Sequence, residues 1–309
     1  MKTTSAASST SVSKELLYQI WLYVRLMRFD QPIGIWLLLW PTLWGLWISA
    51  EGHPDPAIFT IFVFGVVVMR AAGCVFNDYA DRNIDSQVSR TSSRPLTSGQ
   101  ITPTEALVLF AALALIALGL VLMLNKLTQV TAIAAALLTV IYPYTKRFFS
   151  TPQFVLGAAF GWSIPMAFAA QTNALPRLAW LMWLAVVVWA VVYDTMYAMA
   201  DRDDDIRAGV RSTAILFGQA DIYIISLLQA LLLIALLLVG NDAGLGFWYR
   251  LSLGFAAVFM VYEFFLIRNR SPEMCLRAFR NNHYIGATVF CGIVLHYTFV
   301  VPAVEQIPQ

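Results

Sequence analysis

The sequence predicts an all-α, multi-pass integral membrane protein, with about nine transmembrane helices around a polar cavity that faces the cytoplasm. Composition, apolar segments and the distribution of charge support this fold class. Hydrophobic residues make up 59% of the 309 residues, charged residues only 12%, and the mean hydropathy is +0.69. A soluble domain of this length does not need so much apolar surface. The chain is therefore expected in a bilayer.

Nine segments are long and apolar enough to cross a membrane, for which roughly 20 apolar residues are needed. The third and fourth segments are joined closely at Asn125 and Lys126. The predicted spans are 31–50, 57–76, 104–124, 127–143, 153–171, 178–200, 218–239, 247–267 and 283–301.

The basic residues agree with nine spans, because Lys and Arg concentrate in loops on the cytoplasmic side of membrane proteins. Counted from the N-terminus, alternate loops hold most of the 20 basic residues. The exceptions are Lys126, Arg177 and Arg250 in the opposite loops and Arg70 within a span. This bias predicts an N-terminus inside the cell and a C-terminus outside.

A single transmembrane domain is predicted for residues 14–301. Residues 1–13 are rich in Ser and Thr, which predicts a disordered N-terminal tail. Residues 302–309 form a C-terminal tail. Residues 14–28 alternate between apolar and polar positions with a helical period, which suits an amphipathic helix in the membrane interface.

Two short acidic motifs follow apolar segments and repeat each other. The hexapeptides 80–85 (ADRNID) and 200–205 (ADRDDD) agree at four of six positions. In both, carboxylates four residues apart share one face of a helix. Carboxylates at a membrane edge are costly to desolvate, and clusters there are typical of cation binding or a transport path. Both motifs fall on the predicted cytoplasmic side, which favours divalent-metal and phosphate chemistry.

Basic residues near the motifs are suited to a phosphate ligand. Mg²⁺ prefers oxygen ligands, usually one or two carboxylates completed by phosphates and waters. The remaining oxygens of a chelated diphosphate would accept charge-assisted hydrogen bonds. The candidate donors are Arg90, Arg94, Lys146, Arg147, Arg207 and Arg211.

A transporter or channel is the alternative class, in which the acidic clusters form a cation path. Both clusters lie at one face, however, and helix-breaking residues near the bilayer midplane are few, with Gly65 and Pro165 as the main examples. An enzyme would need Mg²⁺ and release diphosphate, whereas a transporter would accumulate solute without either.

The motifs resemble those of the intramembrane aromatic prenyltransferases. Residues 77–85 (NDYADRNID) resemble the NDxxDxxxD signature of that superfamily, and residues 201–205 resemble its DxxxD signature. The flanking residues, including 25–45 (RLMRFDQPIGIWLLLWPTLWG), are similar to the subgroup that prenylates 4-hydroxybenzoate in ubiquinone biosynthesis. The resemblance runs from about Tyr18 to Tyr297 and implies a fold of nine helices.

The resemblance implies a role for each matching residue. Asn77 and Asp81, with Asp85 close by, would bind one Mg²⁺, and Asp201 and Asp205 the second. Arg147 matches a position associated with the diphosphate. The implied catalytic residues are Asp81, Asp85, Asp201, Asp205 and Arg147. The substrate-binding candidates are Arg25, Arg28, Arg82, Arg90, Arg94, Tyr142, Lys146, Tyr193, Tyr197, Arg207 and Arg211.

The implied reaction is Mg²⁺-dependent transfer of a polyprenyl group from its diphosphate to the 3-position of 4-hydroxybenzoate. The cofactor would be Mg²⁺, and the partners would be the two substrates and membrane lipid. The candidate walls for an allylic cation are Phe76, Tyr142, Trp162, Tyr193 and Tyr197. Arg25 and Arg28 are candidates for the acceptor's carboxylate, although their position also suits ordinary cytoplasmic charges. Other acceptors, such as haem or homogentisate, stay open. The expected location is the bacterial inner membrane, with the site facing the cytoplasm.

Overall fold

The computed structural model describes residues 5–85 and 91–299, with the side chains of 5–13 and 84 excepted. Helices and the segments that join them make up this part of the chain, and it contains no strand. The twelve helices are α1 (Ser5–Leu26), α2 (Ile33–Ser49), α3 (Pro56–Asp85), α4 (Pro103–Leu122), α5 (Lys126–Thr145), α6 (Pro152–Gly161), α7 (Ser163–Thr172), α8 (Arg177–Ala208), α9 (Thr213–Phe217), α10 (Asp221–Asp242), α11 (Phe247–Ile267) and α12 (Pro272–Phe299).

Seven helical stretches of the described residues are long and apolar enough to cross a membrane. Helices α6 and α7 together form one of them, Pro152–Thr172, and α9 with α10 form another, Thr213–Asp242. The multi-pass architecture is thereby confirmed. Helix α2 is shorter, with 17 residues, and α12 is not among the seven. The number nine therefore stays a prediction.

Helix α12 has a lower mean hydropathy than these seven stretches because it carries polar side chains inside the protein. Asn281, Asn282 and His296 are all buried in the structure. Asn282 accepts a hydrogen bond from Trp189 Nε1 at 2.8 Å, and His296 Nδ1 accepts one from the backbone N–H of Gly246 at 3.0 Å. Such residues lower mean hydropathy without meeting lipid, since their polar atoms are satisfied by neighbouring helices.

Helices α3 and α8 extend beyond their predicted spans. The spans 57–76 and 178–200 end before the acidic motifs, whereas α3 continues to Asp85 and α8 to Ala208. Gly209 then ends α8 in the left-handed conformation, with φ +68°. Both motifs are consequently helical, as the spacing of four residues requires.

The ends of the chain are partly described. Helix α1 begins at Ser5, within the segment 1–13 that composition predicts to be disordered, while residues 1–4 and 302–309 lie outside the described residues. Beyond residue 13, α1 exposes Leu17 and Trp21 and buries Leu22 and Leu26. Apolar side chains on the exposed face suit the predicted position in the membrane interface.

Helix α8 is the centre of the packing, in contact with α6, α10 and α12. The rings of Trp44 on α2 and Trp189 on α8 stack at 5.2 Å between centroids. Trp44 Nε1 donates to the backbone oxygen of Gly286 at 3.1 Å. Both indoles therefore bury their rings and satisfy their N–H groups.

A cluster of hydrogen-bonded polar side chains, here called a clamp, joins α10, α11 and α12. Glu263 Oε2 accepts a hydrogen bond from Gln229 Nε2 at 2.8 Å, and Glu263 Oε1 accepts one from Asn281 Nδ2 at 2.9 Å. All three side chains are buried. We call this set the Glu263 clamp.

Gly157→Val is expected to loosen the contact between α6 and α8. A Cβ at Gly157 would lie 2.9 Å from both the backbone oxygen of Val187 and the Cβ of Ala190. Overpacking of this kind costs about 1–3 kcal/mol. Thermal unfolding in detergent should show a lower midpoint than for the matched variant Gly119→Val, whose Cβ would meet open space. Equal midpoints would contradict the close approach.

Candidate active site

A long cavity runs through the helices and has a volume of about 630 Å³. Its lining residues on α3 extend from Ile61 to Asp85. At a rise of about 1.5 Å per residue, these two positions are about 36 Å apart. One end is lined by the acidic motifs and basic side chains, and the other by apolar side chains such as Leu118 and Ile133. The shape suits a ligand with a charged head and a long apolar tail.

Helix α3 presents a stripe to this cavity in which every fourth residue is a lining residue. An α-helix completes one turn every 3.6 residues, so each member of this series lies about 40° around the helix from the one before, and the series winds gradually around α3. Added Cβ atoms at both glycines of the stripe would meet nothing within 4 Å, so these glycines widen the cavity. The α3 stripe consists of Gly65, Met69, Gly73, Asn77, Asp81 and Asp85.

Helix α8 brings the second motif to the same cavity. Asp201 and Asp205 both line it, together with Tyr197 one turn earlier. Both predicted acid pairs thus converge on one end of one cavity. Among the described residues, no group of three or more His, Cys, Asp or Glu side chains comes close enough to hold a metal without other ligands.

Basic side chains neutralise the first acid pair. Lys146, directly after α5, donates to Asp81 Oδ2 at 2.9 Å. Burial disfavours the charged form of Lys146, but Asp81, Tyr142 and Asp85 together outweigh burial and hold the pKa of this ammonium above its ordinary value. Arg94 Nη1 donates to Asp85 Oδ2 at 2.5 Å. Burial raises the pKa of Asp85, and Arg94 opposes this shift.

Two oxygen atoms of the first motif are buried without a hydrogen-bond partner among the described residues. They are Asn77 Oδ1 and Asp81 Oδ1, which lie one helical turn apart on the α3 stripe. A buried polar atom without a partner is costly, and such atoms in native structures call for an explanation. Amide and carboxylate oxygens are ligands that Mg²⁺ accepts, with substrate phosphates and waters completing its shell. The residues present therefore fit the predicted ion.

Most of the predicted substrate-binding residues line the cavity. This group contains Arg28, Arg94, Tyr142, Lys146, Tyr193, Tyr197 and Arg211. Arg211 also donates to the backbone oxygen of Phe148 at 2.8 Å. Arg90 lies outside the described residues.

Four predicted arginines do not line the cavity. Arg25 lies over the ring of Trp21, and Arg82 and Arg147 donate to backbone oxygens of α3 at 2.7 Å. Arg207 pairs with Asp204. For Arg147, the carbonyl is that of Ala80, next to Asp81. Its guanidinium thus supports the first motif from outside the cavity in this structure.

Aromatic rings cover the cavity where the two motifs meet. The rings of Tyr193 and Tyr197 lie 6.1 and 4.9 Å from that of Phe279 on α12, which also lines the cavity. The sequence did not predict Phe279, because this residue lies far along the chain from both motifs and belongs to no motif of its own.

Two further charged residues line the cavity deeper than the motifs. Arg70 precedes Asn77 by seven positions, and Asp194 precedes Asp201 by the same number, which is about two turns and nearly the same helix face. Asp194 is hydrogen-bonded to Gln153 of α6. Arg70 lies within the predicted span 57–76, and a charge within a span is itself a signal of function.

Gly34 on α2 makes room for Arg70. A Cβ at this position would collide with the guanidinium group. Arg70 also lies 5.8 Å from the ring centroid of Phe160. Its charge is therefore placed between α2 and α6, at the wall of the cavity.

The fold and the site define a multi-pass membrane protein with an acid-lined head site and a long apolar chamber. The sequence profile of the UbiA prenyltransferase family matches residues 38–287, and the chain belongs to this family. It is 53% identical over 292 residues to the 4-hydroxybenzoate octaprenyltransferase of Saccharophagus degradans, covering 94% of this chain and 98% of that one. It is 56% identical over 275 residues to the protein of the same name from Aeromonas salmonicida, covering 89% and 95%.

Solved structures share the fold. A UbiA homologue from Aeropyrum pernix K1 superposes with a TM-score of 0.75 at 24% identity, covering 84% of this chain and 97% of that one. A UbiA homologue from Archaeoglobus fulgidus bound to GPP and Mg²⁺ superposes with a TM-score of 0.68 at 18% identity, covering 90% and 99%. At these identities the likeness establishes the fold alone.

Proposed function

We propose that this protein transfers a polyprenyl group from polyprenyl diphosphate to the 3-position of 4-hydroxybenzoate, in a reaction that requires Mg²⁺ and releases diphosphate. The observation that carries the proposal is the convergence of two acid pairs, from α3 and α8, on the charged end of a long apolar cavity. The names of relatives that are more than half identical support the acceptor. The cavity's charged end faces the cytoplasm in this proposal, which the bias of basic residues in the loops supports.

The charged end would activate the diphosphate as a leaving group. Asn77 and Asp81 would hold one Mg²⁺ and Asp201 and Asp205 the other, and bound Mg²⁺ supplies Lewis-acid stabilisation of the departing oxygen. Lys146 pairs with Asp81 and Arg94 pairs with Asp85, and both cations would donate hydrogen bonds to phosphate oxygens. These donors act most strongly on the charge that develops as the bond breaks.

The apolar part of the cavity would take the polyprenyl tail. Burial of each methylene contributes about 0.8 kcal/mol, so a long tail gains much of its binding energy there. Tyr193, Tyr197 and Phe279 would cover the allylic carbon, since aromatic faces attract positive charge. The same rings keep water from the cation.

Arg70 is the cation that we assign to the acceptor's carboxylate, in place of Arg25. Arg25 does not line the cavity, and Arg28 lies at its charged end, where it pairs with Asp78 at 2.9 Å. Arg70 lines the cavity, and the described residues offer it no carboxylate within ion-pair distance. Asp194 lies at a similar depth and would accept a hydrogen bond from the phenolic hydroxyl. The ring would thus lie across the path of the allylic carbon.

Arg70→Met is expected to raise the KM for 4-hydroxybenzoate by about 10- to 100-fold, because a charge-assisted bond to a carboxylate is worth about 1.5–3 kcal/mol. The KM for the prenyl diphosphate should change little. Steady-state kinetics with each substrate varied in turn would measure both constants. Arg25→Met serves as the comparison. If Arg25→Met alone raised the acceptor KM, the assignment to Arg70 would be wrong.

The proposed function is tested by turnover of the purified protein in detergent or liposomes. Radiolabelled 4-hydroxybenzoate and a polyprenyl diphosphate are incubated with Mg²⁺ or with a chelator. Movement of label into the lipid phase only with Mg²⁺ is the expected result. If well-folded protein transfers no label with any divalent metal but prenylates another aromatic compound, the acceptor is wrong. If no aromatic compound is prenylated, the proposed reaction is wrong.

A further inference from the structure

Asp78 belongs to the first motif but not to the α3 stripe. It follows Asn77 directly, so its side chain leaves the helix about 100° away from that of Asn77. The Asp78 side chain is only 2% exposed. A carboxylate buried to this extent needs several donors to offset its desolvation.

The donors are two arginines from separate segments. Asp78 Oδ1 accepts hydrogen bonds from Arg28 Nη2 at 2.9 Å and from Arg94 Nη1 at 3.0 Å. Asp78 Oδ2 accepts a second bond from Arg28 Nη2 at 3.1 Å. Both oxygens of Asp78 are thus occupied by guanidinium groups, whereas Asn77 Oδ1 and Asp81 Oδ1 have no partner among the described residues.

The two arginines come from segments between helices and meet at the cavity. Arg28 lies between α1 and α2 in the left-handed conformation, with φ +61°, and Arg94 lies between α3 and α4. Both line the cavity beside the acidic motif. The bonds to Asp78 engage one terminal nitrogen of each guanidinium, and a guanidinium carries five N–H donors in a planar fork.

Without Asp78, no carboxylate among the described residues would join these two cations, since the other bond of Arg94, to Asp85 Oδ2 at 2.5 Å, does not involve Arg28. Like charges repel, and long side chains lose rotamer entropy when they are fixed. A single carboxylate on the rigid helix α3 overcomes both effects. It ties the segment before α2 and the segment before α4 to the helix that carries the first motif.

We propose that Asp78 is a positioning residue: it orients Arg28 and Arg94 so that their other N–H groups donate to the diphosphate, and it does not bind metal. This inference rests on the proposed function, since it assumes a prenyl diphosphate at the charged end. It divides the first motif into two roles. Asn77 and Asp81 serve the metal, and Asp78 serves the arginines.

Asp78→Asn tests the proposal through binding, without any need for transfer. The probe is farnesyl thiolodiphosphate, an unreactive diphosphate analogue, titrated by calorimetry in the presence of Mn²⁺. Asp78→Asn is expected to raise the Kd of the analogue at least tenfold. The Mn²⁺ concentration that supports half-maximal binding, measured at saturating analogue, should stay within twofold of the wild type. Asp81→Asn should instead raise the Mn²⁺ requirement at least tenfold.

Three further variants keep the result interpretable. Glu263→Gln alters another buried, hydrogen-bonded carboxyl group that does not line the cavity, and it should leave both binding constants unchanged. Asp78→Glu keeps the charge but displaces it by one methylene, and it serves if Asp78→Asn yields little folded protein. It should weaken analogue binding several-fold with an unchanged Mn²⁺ requirement. Arg28→Gln should add less to Asp78→Asn than it costs alone, because the two residues act together.

Unchanged analogue affinity in Asp78→Asn or Asp78→Glu would overturn the proposal. The proposal would also be overturned if either variant raised the Mn²⁺ requirement as much as Asp81→Asn does. Equal weakening by Glu263→Gln would reduce Asp78 to a general structural role, which also overturns it. Failure of the proposed function looks different, because the wild-type protein itself would then bind no analogue or transfer no prenyl group.

Discussion

Asp81→Asn and Asp201→Asn are each expected to lower the rate of prenyl transfer by at least about 10³-fold. Each substitution removes one negative charge and one ligand oxygen from the charged end of the cavity. Loss of a single group that stabilises the departing charge costs about 10²–10³-fold, and loss of the metal behind it costs more. Label transfer by purified variants at saturating substrates and Mg²⁺ would measure the effect.

Folding should survive both substitutions, since the two carboxylates lie at a cavity wall and not between packed helices. Thermal unfolding in detergent checks this. Asp203→Asn is the matched control, because Asp203 belongs to the same motif as Asp201 but is exposed and does not line the cavity. It should retain nearly full activity. Substantial transfer by either Asp81→Asn or Asp201→Asn would contradict the proposal of two metal ions.

Gly73→Leu is expected to abolish transfer without destabilising the protein. The new side chain would project from the α3 stripe into the cavity, one turn before Asn77. A residue other than glycine within a helix gains up to about 1 kcal/mol of helix propensity. Gly73→Leu is therefore expected to be at least as stable as the wild type and yet inactive. A substitution at a packed site would instead usually lower stability. Transfer rates and the unfolding midpoint, measured on one preparation, test both parts.

Gly65→Leu extends the test along the cavity. This position is two turns farther from the motif than Gly73, about 12 Å along the helix. It should impair long polyprenyl donors more than geranyl diphosphate, whereas Gly73→Leu should impair both. Gly254→Leu on α11 is the control, because its Cβ meets open space and it does not line the cavity. If Gly65→Leu lowered the transfer rate equally with all donors, the prenyl tail would not lie along this part of the cavity.

Much of the fold was predictable from the sequence, because transmembrane helices are set by local composition. Helix α11 has the bounds 247–267 that hydropathy predicts. The predicted span 283–301 starts later than α12, which begins at Pro272, because α12 carries polar residues such as Asn282 that are buried by neighbouring helices. Hydropathy also stopped short of the motifs on α3 and α8, since the charged last turns of these helices lie beyond the apolar segments.

The site was predictable in its acids and less so in its walls. The repeat of 80–85 and 200–205 indicated that two distant carboxylate pairs act together, and both line the cavity. The glycines of the α3 stripe did not indicate a cavity, because Gly65 stood out only as a helix-breaking residue and hydropathy does not separate small residues that leave space from those that pack closely. Arg147 and Arg25 show the converse. Both were candidates because of their charge, but only the three-dimensional structure shows that neither of them lines the cavity.

The Glu263 clamp bears on how the last three long helices find their register. In lipid, one apolar side chain packs about as well against the bilayer as against another helix, so hydrophobicity alone does not prevent helices from sliding past each other. A carboxyl group that needs one amide from α10 and another from α12 is satisfied at a single vertical alignment. The Glu263 clamp thus specifies how these three helices align with one another. Residues 221–299 should therefore be exchangeable between relatives as one block only when Gln229, Glu263 and Asn281 are exchanged together.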